Sequence, residues 1–246
     1  MKPLVFLLLS SGTALLLPGP TSAQFASARR PSTSPSDAVV SVQELAMPAK
    51  AARAFEKGTS LLLKGDAEAS LPYFATVIEL APSSHRAHHN LGLAHYRLGQ
   101  LDAAAQDFQT SIDLTGGSFA PSLFGLSMIF YQRSQFPDAE SLIRKGLFLN
   151  PGSPIGKYCL GLVQYSLGQI SQALQSALDA LTRDPTLADV HVLLARIHER
   201  QHNPSAVIAD VQAYLKLDPR GSLQDEARKL LARAELNLSP VAASLD

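Results

Sequence analysis

The chain has 246 residues, and its 21 Lys and Arg residues balance its 21 Asp and Glu residues. A formal net charge of zero leaves no basic footprint for nucleic acid. Hydrophobic residues make up 46% of the chain, which is typical of a folded protein and not of a disordered one. The single cysteine, Cys159, cannot form a disulfide within the chain, so a hydrophobic core must hold the fold.

The N-terminus has the layout of a secretory signal peptide. Met1 and Lys2 give a positive start, residues 4–17 are uncharged and mostly apolar, and Ala23 ends a run of small residues. The apolar run is shorter than the roughly 20 residues of a spanning helix. We therefore expect residues 1–23 to be cleaved near Ala23, which leaves an exported chain, periplasmic or secreted, with no stable membrane span. An uncleaved anchor is the alternative. Residues 24–47, rich in Ser, Pro and Ala, are predicted to form a flexible linker.

From Ala51 onward the chain divides into five units of nearly constant length. The units cover residues 51–84, 85–118, 120–153, 154–187 and 188–221. Each has apolar residues at helical spacing in two blocks, which predicts two amphipathic helices joined by a short turn. A small residue in the first helix, such as Gly92, allows the second helix to approach closely. Residues 222–236 are predicted to form a capping helix, and residues 237–246 a disordered tail.

The motif LGLAHYRLGQLDAAAQDF, from Leu91 to Phe108, resembles the tetratricopeptide repeat, as does its copy from Leu160 onward. The resemblance implies an all-α fold: an α-solenoid of five helix-turn-helix repeats in a right-handed superhelix with a C-terminal capping helix. It also implies a scaffold that binds a protein or peptide segment in a concave groove lined by the first helix of each repeat. The positions that line this groove in the family correspond to Phe55, His89, Leu93, Tyr96, Phe124, Met128, Tyr131, Tyr158, Leu162 and Tyr165.

Three other interpretations of this aromatic stripe remain open at the level of sequence. The side chains could pack between adjacent repeats, residues 39–47 could occupy the groove, or the groove could join copies of the same chain in a homo-oligomeric solenoid.

Residues that could carry chemistry are few. His85 and His89 are four residues apart, a spacing that can place two metal ligands on one helix face, but no third ligand follows at a suitable distance. The positions of His88 and His95 are again histidines three units later, at His191 and His198, which favours a structural role within the helix pair. No nucleophile elbow, phosphate loop or metalloprotease motif occurs. We therefore expect no catalytic residue, no metal and no cofactor. The protein is predicted to be a binding protein and not an enzyme.

Overall fold

The structure is a computed structural model that describes residues 47–238, and every regular element in this range is a helix. The predicted signal peptide, the linker up to residue 46 and the tail from residue 239 lie outside the described residues. Eleven helices occur in the described range: α1 Ala49–Leu63, α2 Ala67–Leu80, α3 His85–Arg97, α4 Leu101–Leu114, α5 Ala120–Gln132, α6 Phe136–Leu149, α7 Pro154–Ser166, α8 Ile170–Arg183, α9 Asp189–Arg200, α10 Pro204–Leu217 and α11 Gln224–Leu238.

Tight turns join the two helices of each repeat, because one residue after the first helix adopts a positive φ. Glycine takes this conformation in repeats 1, 2 and 4, with φ of +87° at Gly65, +74° at Gly99 and +77° at Gly168. Ser134 and His202 hold the same position in repeats 3 and 5, with φ of 60° and 55°. Side chains with a Cβ adopt this region at a cost, which glycine avoids.

In repeats 1 and 2 the two helices pack through a glycine on the first helix and an aromatic ring on the second. A Cβ added at Gly58 or at Gly92 would lie 2.9 Å from the ring of Phe74 or Phe108 respectively. Phe108 is fully buried, and a Cβ at Gly125 of the next repeat would lie 2.6 Å from the same ring. The glycines therefore make the slot in which each ring lies, and their small size allows the close approach of the two helices that the sequence predicts.

The repeats stack so that the first helices form the inner side of the solenoid. Each of the helices α1, α3, α5, α7 and α9 contacts the corresponding helix of the next unit, whereas no two of the second helices from neighbouring repeats are in contact within residues 47–238. One hydrophobic core runs from Leu62 to Ile197 across the repeats, and a second joins repeat 5 to α11. The predicted all-α solenoid of helix pairs is confirmed.

Helix α2 contains a proline, and α11 starts later than predicted. Pro72 lies inside α2, which begins at Ala67, where the Asp66 side chain caps it by accepting a hydrogen bond from the Ala69 amide at 3.2 Å. The C-terminal helix begins at Gln224 and not at residue 222. Its predicted inner face is nevertheless buried, with Ala227 and Leu230 no more than 1% exposed.

Candidate partner-binding site

The structure places most of the predicted groove residues in the interior. Seven of the ten are at most 2% exposed: His89, Leu93, Tyr96, Phe124, Met128, Tyr158 and Leu162. The remaining three, Phe55, Tyr131 and Tyr165, are partly buried and pack against the core. These seven side chains therefore support the inner surface from beneath, and only the last three reach solvent.

A ladder of contacts between neighbouring repeats engages the tyrosines. The hydroxyl of Tyr96 accepts a hydrogen bond from Gln132, one repeat further on, and that of Tyr131 accepts one from Ser166 at 3.3 Å. The guanidinium of Arg200 lies 4.6 Å from the ring centroid of Tyr165. All three tyrosines therefore contact the next repeat, as expected if the aromatic stripe packs between adjacent repeats.

His89 also takes part in contacts between repeats. Its Nδ1 lies 3.0 Å from the hydroxyl of Ser122, and Ser122 in turn donates a hydrogen bond to Ser111 at 2.8 Å. All three side chains are buried. Because buried polar groups must be satisfied, this chain of hydrogen bonds fixes the position of repeat 3 on repeat 2.

An open cavity of ≈ 810 Å³ lies along the inner side of the solenoid. Its lining comes from all five repeats, from the α1–α2 turn at Lys64 to the loop before α11 at Ser222. Of the ten predicted groove residues only Phe124 lines it. The loops that join one repeat to the next contribute most of its wall, together with the first residues of α5, α7 and α9. The charged residues of this lining are Lys64, Arg97, Asp184, Asp189, Asp218 and Arg220.

Asp189 is the most perturbed acid of the cavity. It is the first residue of α9, and burial raises the pKa of its carboxyl to about 7, with a further rise from the negative charge of Asp218. Within residues 47–238 no hydrogen bond or ion pair offsets this burial. The carboxyl is therefore held in an environment that favours its neutral form.

Arg97 is the most perturbed base. Its Nη1 donates a hydrogen bond to the Leu62 carbonyl, but its Nε is buried without a hydrogen-bond partner. Burial lowers the pKa of the guanidinium. No carboxylate of the described chain pairs with it, so the charge is left for solvent or for a ligand of the cavity.

The histidines that recur in the sequence flank an aspartate in two repeats. His95 Nδ1 lies 2.7 Å from Asp107 Oδ2 in repeat 2, and His198 Nδ1 lies 2.7 Å from Asp210 Oδ2 in repeat 5. Within residues 47–238 no group of three His, Cys, Asp or Glu side chains could hold a metal ion. These clusters tie the two helices of a repeat together, in line with the structural role inferred from the sequence.

The cavity residues that the sequence analysis missed follow a repeat pattern of their own. Asn150, Asp184 and Asp218 each precede a proline at the end of a repeat. On its own, such a pair indicates only the end of a helix. Because equivalent positions of stacked repeats lie along one edge, the same recurrence could have placed these polar side chains on one wall.

Comparison with known proteins agrees with this architecture. A family model described as tetratricopeptide repeat matches residues 49–119 and 124–188. The chain belongs to the tetratricopeptide repeat family. Proteins built from this repeat are generally scaffolds for protein–protein interaction. Within residues 47–238 no helix has the length and apolar character to cross a membrane.

Two relatives show how widely the repeat is used. The chain is 32% identical over 108 residues to the Protein CTR9 homolog of Arabidopsis thaliana, a match covering 44% of this chain and 10% of the plant protein. It is 24% identical over 199 residues to human Tetratricopeptide repeat protein 16, covering 78% of this chain and 22% of the human protein. The chain thus spans a small part of either relative.

Solved structures share the fold. A thermophilic tetratricopeptide repeat protein of Thermus thermophilus superposes with a TM-score of 0.65 at 20% identity, covering 76% of this chain and 99% of that chain. A chain of the Cut9–Hcn1 assembly gives a TM-score of 0.62 at 21% identity over 72% of this chain and 35% of that chain. At these identities the likeness concerns the arrangement of the helices.

Proposed function

We propose that this tetratricopeptide repeat protein is a scaffold that holds an extended segment of a partner protein in its inner cavity. The observation that carries the proposal is the cavity of ≈ 810 Å³ to which all five repeats contribute. A ligand that contacts every repeat must be long and narrow, which describes a polypeptide segment better than a compact small molecule.

The lining suits such a ligand. It combines apolar side chains such as Ile155 and Leu187 with charged groups that are not paired with each other, Asp189 and Arg97 among them. Apolar contacts provide the binding energy of most protein interfaces, while charged groups select the partner and set its orientation.

Only three of the ten residues of the predicted aromatic groove are exposed enough to take part in this binding. Phe55, Tyr131 and Tyr165 are partly exposed and could contact a partner, whereas the seven other members of the stripe are buried. Replacing Tyr131 by alanine would also remove a contact between repeats. A test of binding must therefore use positions whose change leaves the stacking intact.

Photocrosslinking in the native host meets this requirement. A photoreactive phenylalanine analogue at Ile155 would lie in the cavity wall, and the same analogue at Phe148, which is 85% exposed and outside the cavity, provides the matched control. We expect a partner protein to be crosslinked from position 155 and not from position 148, with mass spectrometry giving its identity. Equal crosslinking from both positions would contradict the proposal.

The same experiment addresses the homo-oligomeric alternative. If the cavity joins copies of this chain, the species crosslinked from position 155 contains only this chain. Light scattering of the purified protein would then show a mass that rises with concentration. A constant monomer mass together with a crosslinked second protein supports the scaffold.

We propose in addition that the scaffold acts after export. The support is the sequence of the first 23 residues, with its positive start, apolar run and small residues before position 24. The mass of the protein recovered from the periplasm or the medium tests this. A chain that begins at Gln24 is the expected result, and an intact Met1 in the cytosolic fraction would contradict it.

A further inference from the structure

The charges of the cavity are divided between its two ends. Lys64 and Arg97 come from repeats 1 and 2, whereas Asp184, Asp189 and Asp218 come from repeats 4 and 5 and the loop that follows. Arg220 is the one cation at the acidic end and forms no ion pair with these aspartates within the described chain. A ligand lying along the cavity therefore meets positive charge at one end and negative charge at the other.

The acidic end lacks a counter-charge. Asp189 is half-buried at the start of α9, and the charged residue that acts on its carboxyl is Asp218, which has the same sign. Two carboxylates that face one desolvated space repel each other, and a cation placed between them removes this repulsion. The Asp218 Oδ2 lies beside Gly221, where an added Cβ would come within 2.2 Å of it.

The basic end lacks a counter-charge as well. The Arg97 Nε has no hydrogen-bond partner although it is buried, and the Nη1 donates a hydrogen bond to the Leu62 carbonyl. A buried donor without an acceptor is unfavourable. An anionic group of a ligand would satisfy the donor and pair with the charge.

These two ends together specify a ligand, an inference that rests on the proposed function. We propose that the bound partner segment carries a lysine or arginine side chain that lies between Asp189 and Asp218, and an acidic side chain further along that meets Arg97. Both pairs form between groups that the protein already holds partly out of water. Forming them therefore desolvates mainly the ligand, and the opposite charges fix the direction in which the segment lies.

Selection from a random decapeptide display library tests the inference without a known partner. On the wild-type protein we expect the enriched peptides to share one basic and one acidic position at a fixed separation. On the variant Asp189→Asn the basic position should no longer be enriched, and on Arg97→Gln the acidic position should be lost. The variant Asp138→Asn removes an equal charge at an exposed position outside the cavity, and should select the wild-type pattern.

A synthetic peptide of the enriched sequence allows a quantitative test by fluorescence anisotropy. We expect Asp189→Asn and Asp218→Asn each to weaken binding by roughly tenfold or more, and Asp138→Asn to leave the Kd unchanged. Exchanging the charges should restore binding, so that the double variant Asp189→Lys, Asp218→Asn binds the peptide whose basic residue is replaced by glutamate. This rescue excludes a loss of binding that comes from misfolding.

The outcomes separate this inference from the proposed function. Enriched peptides without a basic residue, or the same pattern on Asp189→Asn, would overturn the inference while crosslinking from position 155 still supported the scaffold. Selection that enriches no peptide at all would also overturn it. If peptides of the expected pattern bind but crosslinking finds no partner in the cavity, the charge specificity stands and the cellular role proposed above does not.

Discussion

Repeats 2 and 5 hold their helices together with the same polar residues in slightly different geometry. In repeat 2, Asp107 on α4 lies 2.7 Å from His95 but 3.9 Å from His88, whose Nδ1 has no hydrogen-bond partner. In repeat 5, three repeats further along, Asp210 lies 2.7 Å from His198 and 3.4 Å from His191. The aspartate therefore accepts hydrogen bonds from one histidine in repeat 2 and from two in repeat 5.

The apolar contact beside these polar residues differs more. Repeat 2 pairs Gly92 with Phe108, whereas the equivalent residues of repeat 5 are Ala195 and Val211, all of them buried. A small residue opposite a large one and two residues of medium size fill similar volumes. The packing of the two helices therefore requires that the two facing residues have a certain combined volume. The histidine–aspartate contact joins the same two helices independently of this volume.

The largest effect is expected where this volume rule is broken in repeat 2. The substitution Gly92→Ala brings a Cβ to 2.9 Å from the Phe108 ring, which cannot retreat because Gly125 lies on its other side. We expect the free energy of unfolding to fall by about 2–3 kcal/mol, the cost of overpacking a well-packed core. Urea titration followed by circular dichroism measures it.

The matched change in repeat 5 runs in the opposite direction. Ala195→Gly removes a methyl group from a site without a large ring and should cost about 1 kcal/mol, mainly through the lower helix propensity of glycine. An equal loss of unfolding free energy in Gly92→Ala and Ala195→Gly would show that the packing around the Phe108 ring in repeat 2 is less rigid than its contacts indicate.

The stability that the histidine–aspartate contact contributes should follow the number of hydrogen bonds that the aspartate accepts. Asp210→Asn removes the charged acceptor of two histidines, and we expect it to lower the free energy of unfolding by roughly 2 kcal/mol at neutral pH. Asp107→Asn removes the acceptor of one and should cost about half as much. A larger loss in repeat 2 would mean that the 3.9 Å contact of His88 stabilises the repeat more than geometry suggests.

At the start of the first helix the two repeats carry opposite charges, since Arg86 in repeat 2 corresponds to Asp189 in repeat 5. The Asp189 carboxyl has a pKa of about 7 in the folded state, above its ordinary value. Between pH 4 and 7 the folded state therefore binds a proton that the unfolded state has released, so this group stabilises the fold less as the pH rises. We expect Asp189→Asn to be more stable than the wild type by about 1–2 kcal/mol at pH 8 and equal to it near pH 4.

The control for this pH dependence comes from repeat 2. Arg86→Gln changes a charge at the equivalent position, where the guanidinium lies 5.5 Å from the Phe55 ring centroid, and its effect on stability should be the same at both pH values. A stability difference for Asp189→Asn that does not change with pH would show that the carboxyl remains ionised in the fold.

The sequence was sufficient to predict the helix pairs, because their signal is local: glycines such as Gly92, rings such as Phe108 and prolines recur at a constant period. The candidate site was predicted only in part. Tyr96 and Tyr158 are at positions that line a groove in the family, but here they are 1% exposed, since contacts between repeats cover them. The acidic wall at Asp189 and Asp218 depends on how far the solenoid curves. Curvature is the sum of small rotations between repeats, and no single repeat encodes it.

The smallest effect is expected at the turns. His202 holds a φ of 55° in repeat 5, where repeat 2 has Gly99 at +74°. Since a residue with a Cβ is strained in this region, His202→Gly should raise the free energy of unfolding by about 0.5–1 kcal/mol, and Gly99→Ala should lower it by about 1 kcal/mol. The two changes together measure the same backbone preference from opposite sides. A loss of stability in His202→Gly would show that the exposed imidazole makes a contribution in repeat 5 that outweighs its strained backbone.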